Sequence, residues 1–341
     1  MTSALLLLSA CVALDSSLTL EPANAPAAPA YSGVPYVDDG EPKHTLDIYL
    51  PKEAEARLPT LLVIHGTEDT KESHHGLAGY FAERGYAVVL TEYRYPNEPG
   101  RPLMLQDAFC SLAWVHANAE KYSFDRDRIF VFGFSLGGLI AATLGAVDDT
   151  SQFMDECPHQ LLQSGKTRGV ATYAAILGTP EVCLSESWCL LGAASGNKIP
   201  MTQMLPIAEA LKEIPPSSWR DNIQLSEEAI SFAQTLPLYW VDGSEPAFLL
   251  VHGSDDALVP PTESEAFGAR LESAGVDARL VLVPGAGHQS IYPTGPSFTT
   301  IVEAVEDFFA SNLERLQLNN ASLPKDGDQA ANDDKNQPHD Q

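Results

Sequence analysis

Six apolar runs recur along the chain: "TLLVIHG", "YAVVLTEYR", "RIFVFGFS", "VATYAAILG", "AFLLVHG" and "ARLVLVPG". Each is rich in β-branched or aromatic residues and stops at a glycine or a polar turn residue, which predicts strands. The runs are continuous rather than alternating, as in strands covered on both faces. Between them, apolar residues repeat at helical spacing and predict helices over 74–84, 103–122, 136–147, 262–274 and 299–316. Strand and helix alternate, so the expected architecture is α/β with a doubly wound, mostly parallel sheet. Upstream, "HTLDIYLP" alternates apolar and polar positions and predicts an antiparallel edge strand. No internal repeat is present.

The alternation breaks over about 179–245. Two short helical patterns, 204–213 and 226–234, lie there among Pro200, Pro206, Pro215, Pro216 and Pro237. Such punctuation predicts short pieces forming a helical cap over one edge of the sheet, or else an enlarged crossover with no part in substrate choice. Trp188, Trp219 and Trp240 either line a substrate pocket or pack as core.

The flanks differ in character from this body. The start, "MTSALLLLSACVALDSS", has an apolar run too short to span a bilayer but suited to an export signal. Within it Leu8-Ser9-Ala10-Cys11 resembles a bacterial lipobox, making Cys11 a candidate for lipidation and hence for a membrane tether. The Pro- and Ala-rich stretch that follows reads as a linker up to residue 35, with the folded domain over 36–317. The last residues, 318–341, are acidic and poor in large apolar side chains, the composition of a disordered tail. Cys110, Cys157, Cys183 and Cys189 remain after Cys11. In an exported protein that even number favours two disulfides, and nearness favours Cys183 with Cys189; the alternative is that some are buried thiols.

Acidic residues number 46 against 20 basic ones, a formal charge of −26, which argues against nucleic acid and anionic membrane as partners. The chemistry is concentrated elsewhere. Gly133-Phe134-Ser135-Leu136-Gly137 has the form G-x-S-x-G and stands where "RIFVF" gives way to "LGGLIAATLGAV". A serine on such a strand-to-helix turn projects its hydroxyl above the sheet edge, while the Leu136 N–H and the positive end of the helix face the same point and can stabilise an oxyanion. A serine hydroxyl needs a base, and the base an orienting acid. Both types follow in the chain: "HGSDDALVP" offers an acid on the loop after one strand, and "PGAGHQS" offers His288 after the next. All three would sit at the carboxyl ends of parallel strands, where open α/β sheets hold their sites. His74-His75 does not read as a metal pair, because neighbours on a helix point apart and no carboxylate cluster completes a site; no metal or cofactor is expected. His65 and His252 read as structural, and Asp242 and Asp277 as surface acids.

Over roughly residues 43–316 these features resemble an α/β-hydrolase of the esterase/lipase type, nearest to carboxylesterases and the feruloyl and acetylxylan esterase-like groups. The resemblance rests on the G-x-S-x-G turn, "LLVIHG", the stretch from "TEYRYPNEPG" to the turn, and "LLVHGSDDALVP". It implies Ser135 as nucleophile, His288 as general base and Asp256 as the acid that orients it, in the family's chain order. It implies Thr67, after His65-Gly66, as the second oxyanion amide. The chain departs from the family there, with "HGTEDT" where many members have His-Gly-Gly-Gly. The implied activity is hydrolysis of small-molecule or carbohydrate esters. A serine peptidase of the prolyl-oligopeptidase type and a non-catalytic binding protein on the same scaffold are the alternatives.

Overall fold

The computed structural model describes residues 28–53, 57–67, 69–95, 102–161, 167–178 and 234–322. Outside them lie Cys11 and the apolar start read as an export signal, most of the stretch read as a cap, with Cys183, Cys189, Trp188 and Trp219, and residues 323–341.

Eight strands form one sheet in the order β1-β2-β4-β3-β5-β6-β7-β8. They are β1 Tyr31–Pro35, β2 Thr45–Tyr49, β3 Leu58–Ile64, β4 Ala87–Thr91, β5 Phe124–Phe134, β6 Gly169–Tyr173, β7 Ala247–Gly253 and β8 Ala278–Val283. β1 and β2 pair antiparallel, as do β2 and β4, and every other pairing is parallel. The helices are α1 His75–Ala82, α2 Leu103–Ala117, α3 Ala119–Tyr122, α4 Leu136–Ala146, α5 Thr262–Ser273 and α6 Phe298–Ser322.

Strand side chains alternate between two cores. Leu62, Ile64 and Val131 meet α2 and α4, together with Phe267 and Leu271 of α5. Leu61, Val63, Phe130 and Phe132 meet α1 and α6 through Phe81, Val305 and Phe309. Both faces of the central strands are therefore dry, as their unbroken apolar runs predict. The last strand departs from that expectation: β8 is an edge strand, and Leu280 and Leu282 are exposed on it.

Three further differences have local causes. Residues 31–35, read as linker, form β1. Its pairing is secured by Asp47 of β2, which accepts hydrogen bonds from the Ser32 hydroxyl (3.0 Å) and the Gly33 N–H (2.8 Å). That places β1, rather than β2, at the sheet edge. The single helix expected over 103–122 is broken at Asn118, whose backbone (φ −100°, ψ 13°) leaves helical geometry. The last helix continues past the expected 316 to Ser322.

Cys110 on α2 is bonded to Cys157 in the loop after α4. It is the pairing that remains when Cys183 is matched with Cys189. The bond closes a segment of 47 residues, and in the chain-entropy account cross-links of that span contribute on the order of 2–4 kcal/mol. Peptide mapping under non-reducing conditions is expected to recover Cys110 joined to Cys157. The Cys157→Ser variant is expected to unfold at lower temperature while keeping its secondary structure.

At the carboxyl end of β4, buried Glu92 holds both ends of the loop after β3. It accepts the Lys71 N–H (2.8 Å), lies 3.6 Å from His65 Nε2, and binds the Lys43 ammonium at 2.5 Å. Burial alone would raise its pKa, but the nearby His65 ring and the hydrogen bonds from the Lys43 ammonium and the Lys71 N–H outweigh burial and lower it to about 2. A carboxylate depressed in this way stabilises the fold fully above its ordinary pKa, and the contribution disappears as pH falls toward about 2. Chemical denaturation between pH 5 and pH 2 (roughly that window) should therefore show a shallower acid dependence for Glu92→Gln than for the parent, from a lower starting stability.

Candidate active site

The chain leaves β5 at Phe134 and enters α4 at Leu136, so Ser135 alone makes the turn. Its backbone stands at φ 55°, ψ −118°, a conformation that costs an L residue on the order of 1–3 kcal/mol. The surrounding glycines make it possible. A Cβ on Gly133 would collide with the backbone of Gly137, and one on Gly137 with the carbonyls of Ile64 and His65. One on Gly138 would collide with Ala175. The turn is fixed by its own amide and carbonyl: Ser135 N–H donates to Tyr173 O (3.0 Å), while Ser135 O accepts from Gly138 N–H (2.9 Å) and Ile176 N–H (3.3 Å).

The structure brings Ser135, His288 and Asp256 together although they are far apart in sequence. Ser135 Oγ lies 3.0 Å from His288 Nε2, and His288 Nδ1 lies 2.8 Å from Asp256 Oδ2. Asp256 Oδ1 accepts the N–H groups of Leu258 and Val259, both at 2.9 Å. His252, fully buried, approaches Asp256 Oδ2 at 3.4 Å; its Nε2 also donates to Val259 O (3.0 Å), and its Nδ1 meets Ser264 Oγ (2.7 Å). Burial alone would raise the Asp256 pKa, but the nearby His252 ring and hydrogen bonds from His288 and the Val259 amide hold the carboxyl well below the usual range. An ionised Asp256 fixes His288 with a proton on Nδ1 and a free lone pair on Nε2 toward Ser135. The neighbouring Asp255 is exposed and takes a bond from Ser254 Oγ (2.7 Å), a turn role.

The acid and histidine loops are zipped together. Asp255 N–H donates to Ala286 O (3.0 Å), and Gly285 N–H to Ser254 Oγ (2.9 Å). From β6, Tyr173 OH donates to Gly287 O (2.6 Å).

Leu136 N–H is the first amide of α4, and the first amides of a helix have no acceptor within it. The Gly66-Thr67 backbone flanks the same serine: a Cβ on Gly66 would stand 3.2 Å from Ser135 Cβ. Thr67 itself is exposed. Behind it, His65 stacks on Tyr93 (centroids 4.4 Å apart), and Tyr93 OH donates to His65 O (2.9 Å). A hydroxyl within hydrogen-bond reach of a base, at the N-terminus of a helix, is an arrangement suited to acyl transfer.

The other candidates take no part in this line of hydrogen bonds. Asp242 and Asp277 are exposed, and Asp277 pairs with Arg315. Trp240 is core, with Nε1 donating to Gln234 O (3.0 Å). His74 and His75 turn to different acids, Asp69 at 3.0 Å and Asp47 at 3.7 Å, and among the described residues no three acidic, His or Cys side chains form a metal cluster. The sequence reading missed Asp69 and Tyr292, which meet beside Phe134 next to the serine; no motif links positions 223 residues apart.

The BD-FAE family model matches residues 46–271, more than half of the chain. Esterase LipC of Mycobacterium tuberculosis is 24% identical over 268 residues, which cover 74% of this chain and 58% of the esterase. A probable isoprenylcysteine alpha-carbonyl methylesterase of Arabidopsis thaliana is 24% identical over 270 residues, 78% of this chain and 53% of that protein. The chain thus spans little more than half the length of these curated relatives. Among solved structures, an inhibited esterase B from Lactobacillus rhamnosis superposes with a TM-score of 0.63 at 19% identity, covering 87% of this chain and 92% of the other. The chain belongs to the BD-FAE family, with the α/β-hydrolase fold.

Proposed function

We propose that this protein hydrolyses carboxylic esters through a covalent acyl-enzyme on Ser135. The observation that carries the reading is the continuous line of hydrogen bonds from Ser135 Oγ through His288 to Asp256, on a serine held at φ 55°. Relatives that bear the names esterase and methylesterase support the same bond type.

In this mechanism His288 Nε2 takes the proton as Ser135 Oγ attacks the ester carbonyl. Asp256 stabilises the imidazolium that forms, and the oxyanion accepts hydrogen bonds from the N–H groups of Leu136 and Thr67. The proton passes from His288 to the leaving alcohol, and water then releases the acid by the same steps in reverse roles. The protein works outside the reducing cytosol, a reading supported by the Cys110–Cys157 bond and the apolar start of the chain, with Cys11 as a lipid attachment point. A set of p-nitrophenyl esters of increasing chain length, with a peptide p-nitroanilide beside them, tests the class of bond; turnover of the anilide and not the esters would reverse the assignment.

Two outcomes are expected of variants. A fluorophosphonate probe should label Ser135 stoichiometrically, and Ser135→Ala should lose the label and on the order of 10⁶-fold in kcat; equal labelling of the variant would sink the reading. Asp256→Asn should cost on the order of 10⁴-fold in kcat, because an amide leaves the imidazole in the wrong tautomer, whereas Asp255→Asn should cost far less. Steady-state kinetics of both on one short-chain ester checks the pair.

A further inference from the structure

The loop after β3 carries Thr67 without the glycines that many relatives have there, and its Thr67 side chain is exposed. Glu92 ties the ends of this loop, and a second buried acid lies within it. Two residues after Thr67, the Asp69 carboxylate is largely buried, and both of its oxygens are engaged. Oδ1 accepts the Thr70 N–H (2.9 Å), while Oδ2 accepts the Tyr292 hydroxyl (2.7 Å) and meets His74 Nε2 (3.0 Å). Tyr292 stands four residues after His288, at the end of the short 3-10 turn His288–Ile291.

The rings around this carboxylate make a single packed group. His74 stacks on Tyr292 (centroids 5.9 Å, planes 29° apart) and tilts against Phe134 at 6.2 Å. Phe134 immediately precedes Ser135, meets Tyr292 edge-on at 5.9 Å, and lies 5.0 Å from the His288 ring. Pro293 presses on Gly76 at the start of α1, so closely that a Cβ there would collide with it. Burial alone would raise the Asp69 pKa, but the bonds from His74, Ser73 and Tyr292 hold it well below the usual carboxylate range, so the acceptor stays charged.

We infer that Asp69 is a positioning residue for ester hydrolysis: through Tyr292 and His74 it locks the oxyanion loop to the segment bearing His288. The inference rests on the ester-hydrolase reading above. An apolar contact could hold two loops together, but a charged acceptor shared by two directional donors fixes their relative placement. The Thr67 amide acts on the oxyanion, which exists only after attack. A displaced amide therefore lowers kcat and leaves ground-state binding nearly unchanged.

The test uses Tyr292→Phe, which deletes one donor and keeps the ring packing, with Asp69→Asn, the double variant and Ser135→Ala. On p-nitrophenyl acetate each single variant is expected to lose roughly tenfold in kcat, with KM within about twofold. Fluorophosphonate labelling should slow by the same factor. The double variant should be no worse than Asp69→Asn, because the groups act as one unit. Wild-type kcat in both single variants, additive losses in the double variant, or a change confined to KM or Tm overturns the inference while Ser135-dependent hydrolysis by the parent stands. Absence of Ser135-dependent hydrolysis in the parent overturns the ester-hydrolase reading, and the inference with it.

Discussion

The turn at Ser135 has room for its backbone only because the chain around it carries no Cβ where it crosses other backbone. Gly133 faces Gly137, Gly137 faces the carbonyls that end β3, and Gly138 faces Ala175 after β6. That close approach brings α4 down onto the sheet and sets the serine hydroxyl above the edge. A larger side chain at any of the three would lift the helix and carry the serine with it. The neighbouring strand end is strained in the same way, since Ala174 also takes a positive φ (49°) while its amide reaches Val251 O at 3.0 Å. Two strained residues side by side persist because the parallel pairings of β5, β6 and β7 over-determine them.

Around this rigid turn, the loops at the carboxyl edge are each held by a buried acid. Glu92 holds the loop after β3, and Asp256 holds the acid loop and His288. Asp107, buried on α2, takes the Arg94 guanidinium and the Arg94 N–H at 2.7 Å each, and lies 3.2 Å from His44 Nε2. Weighed against well-packed apolar groups, whole buried pairs of this kind gain little stability, because desolvation offsets much of their attraction, although removing one partner alone is costly. Their geometric effect is larger. A carboxylate with several directional donors leaves a loop few ways to sit, and a catalytic constellation needs that precision more than it needs extra stability.

Much of this was legible in the sequence. The parallel sheet followed from unbroken apolar runs alternating with helical spacing, and the G-x-S-x-G turn marked its own location because each glycine answers a local steric demand. His288 and the Ser254-Asp255-Asp256 loop could be found because strand ends are where such side chains lie, but the choice of Asp256 over Asp255 came from the family resemblance, since both acids stand on the same loop. β1 was not legible: "YSGVP" has too few apolar residues, and its pairing depends on one carboxylate of β2. The break at Asn118 was hidden because the apolar spacing of 103–122 runs through it. Asp69 and Tyr292 meet only in three dimensions, joined through ring packing on Phe134, and no spacing rule in one dimension announces such a contact.

The central claim is that Ser135 carries the acyl group between the two halves of the reaction. Rapid-quench mass spectrometry during turnover of p-nitrophenyl acetate tests it most directly. The account predicts a burst of p-nitrophenol equal to the enzyme present, with one acetyl group on the peptide containing Ser135. Hydrolysis at full rate with no burst and no acetyl group on that peptide would contradict it.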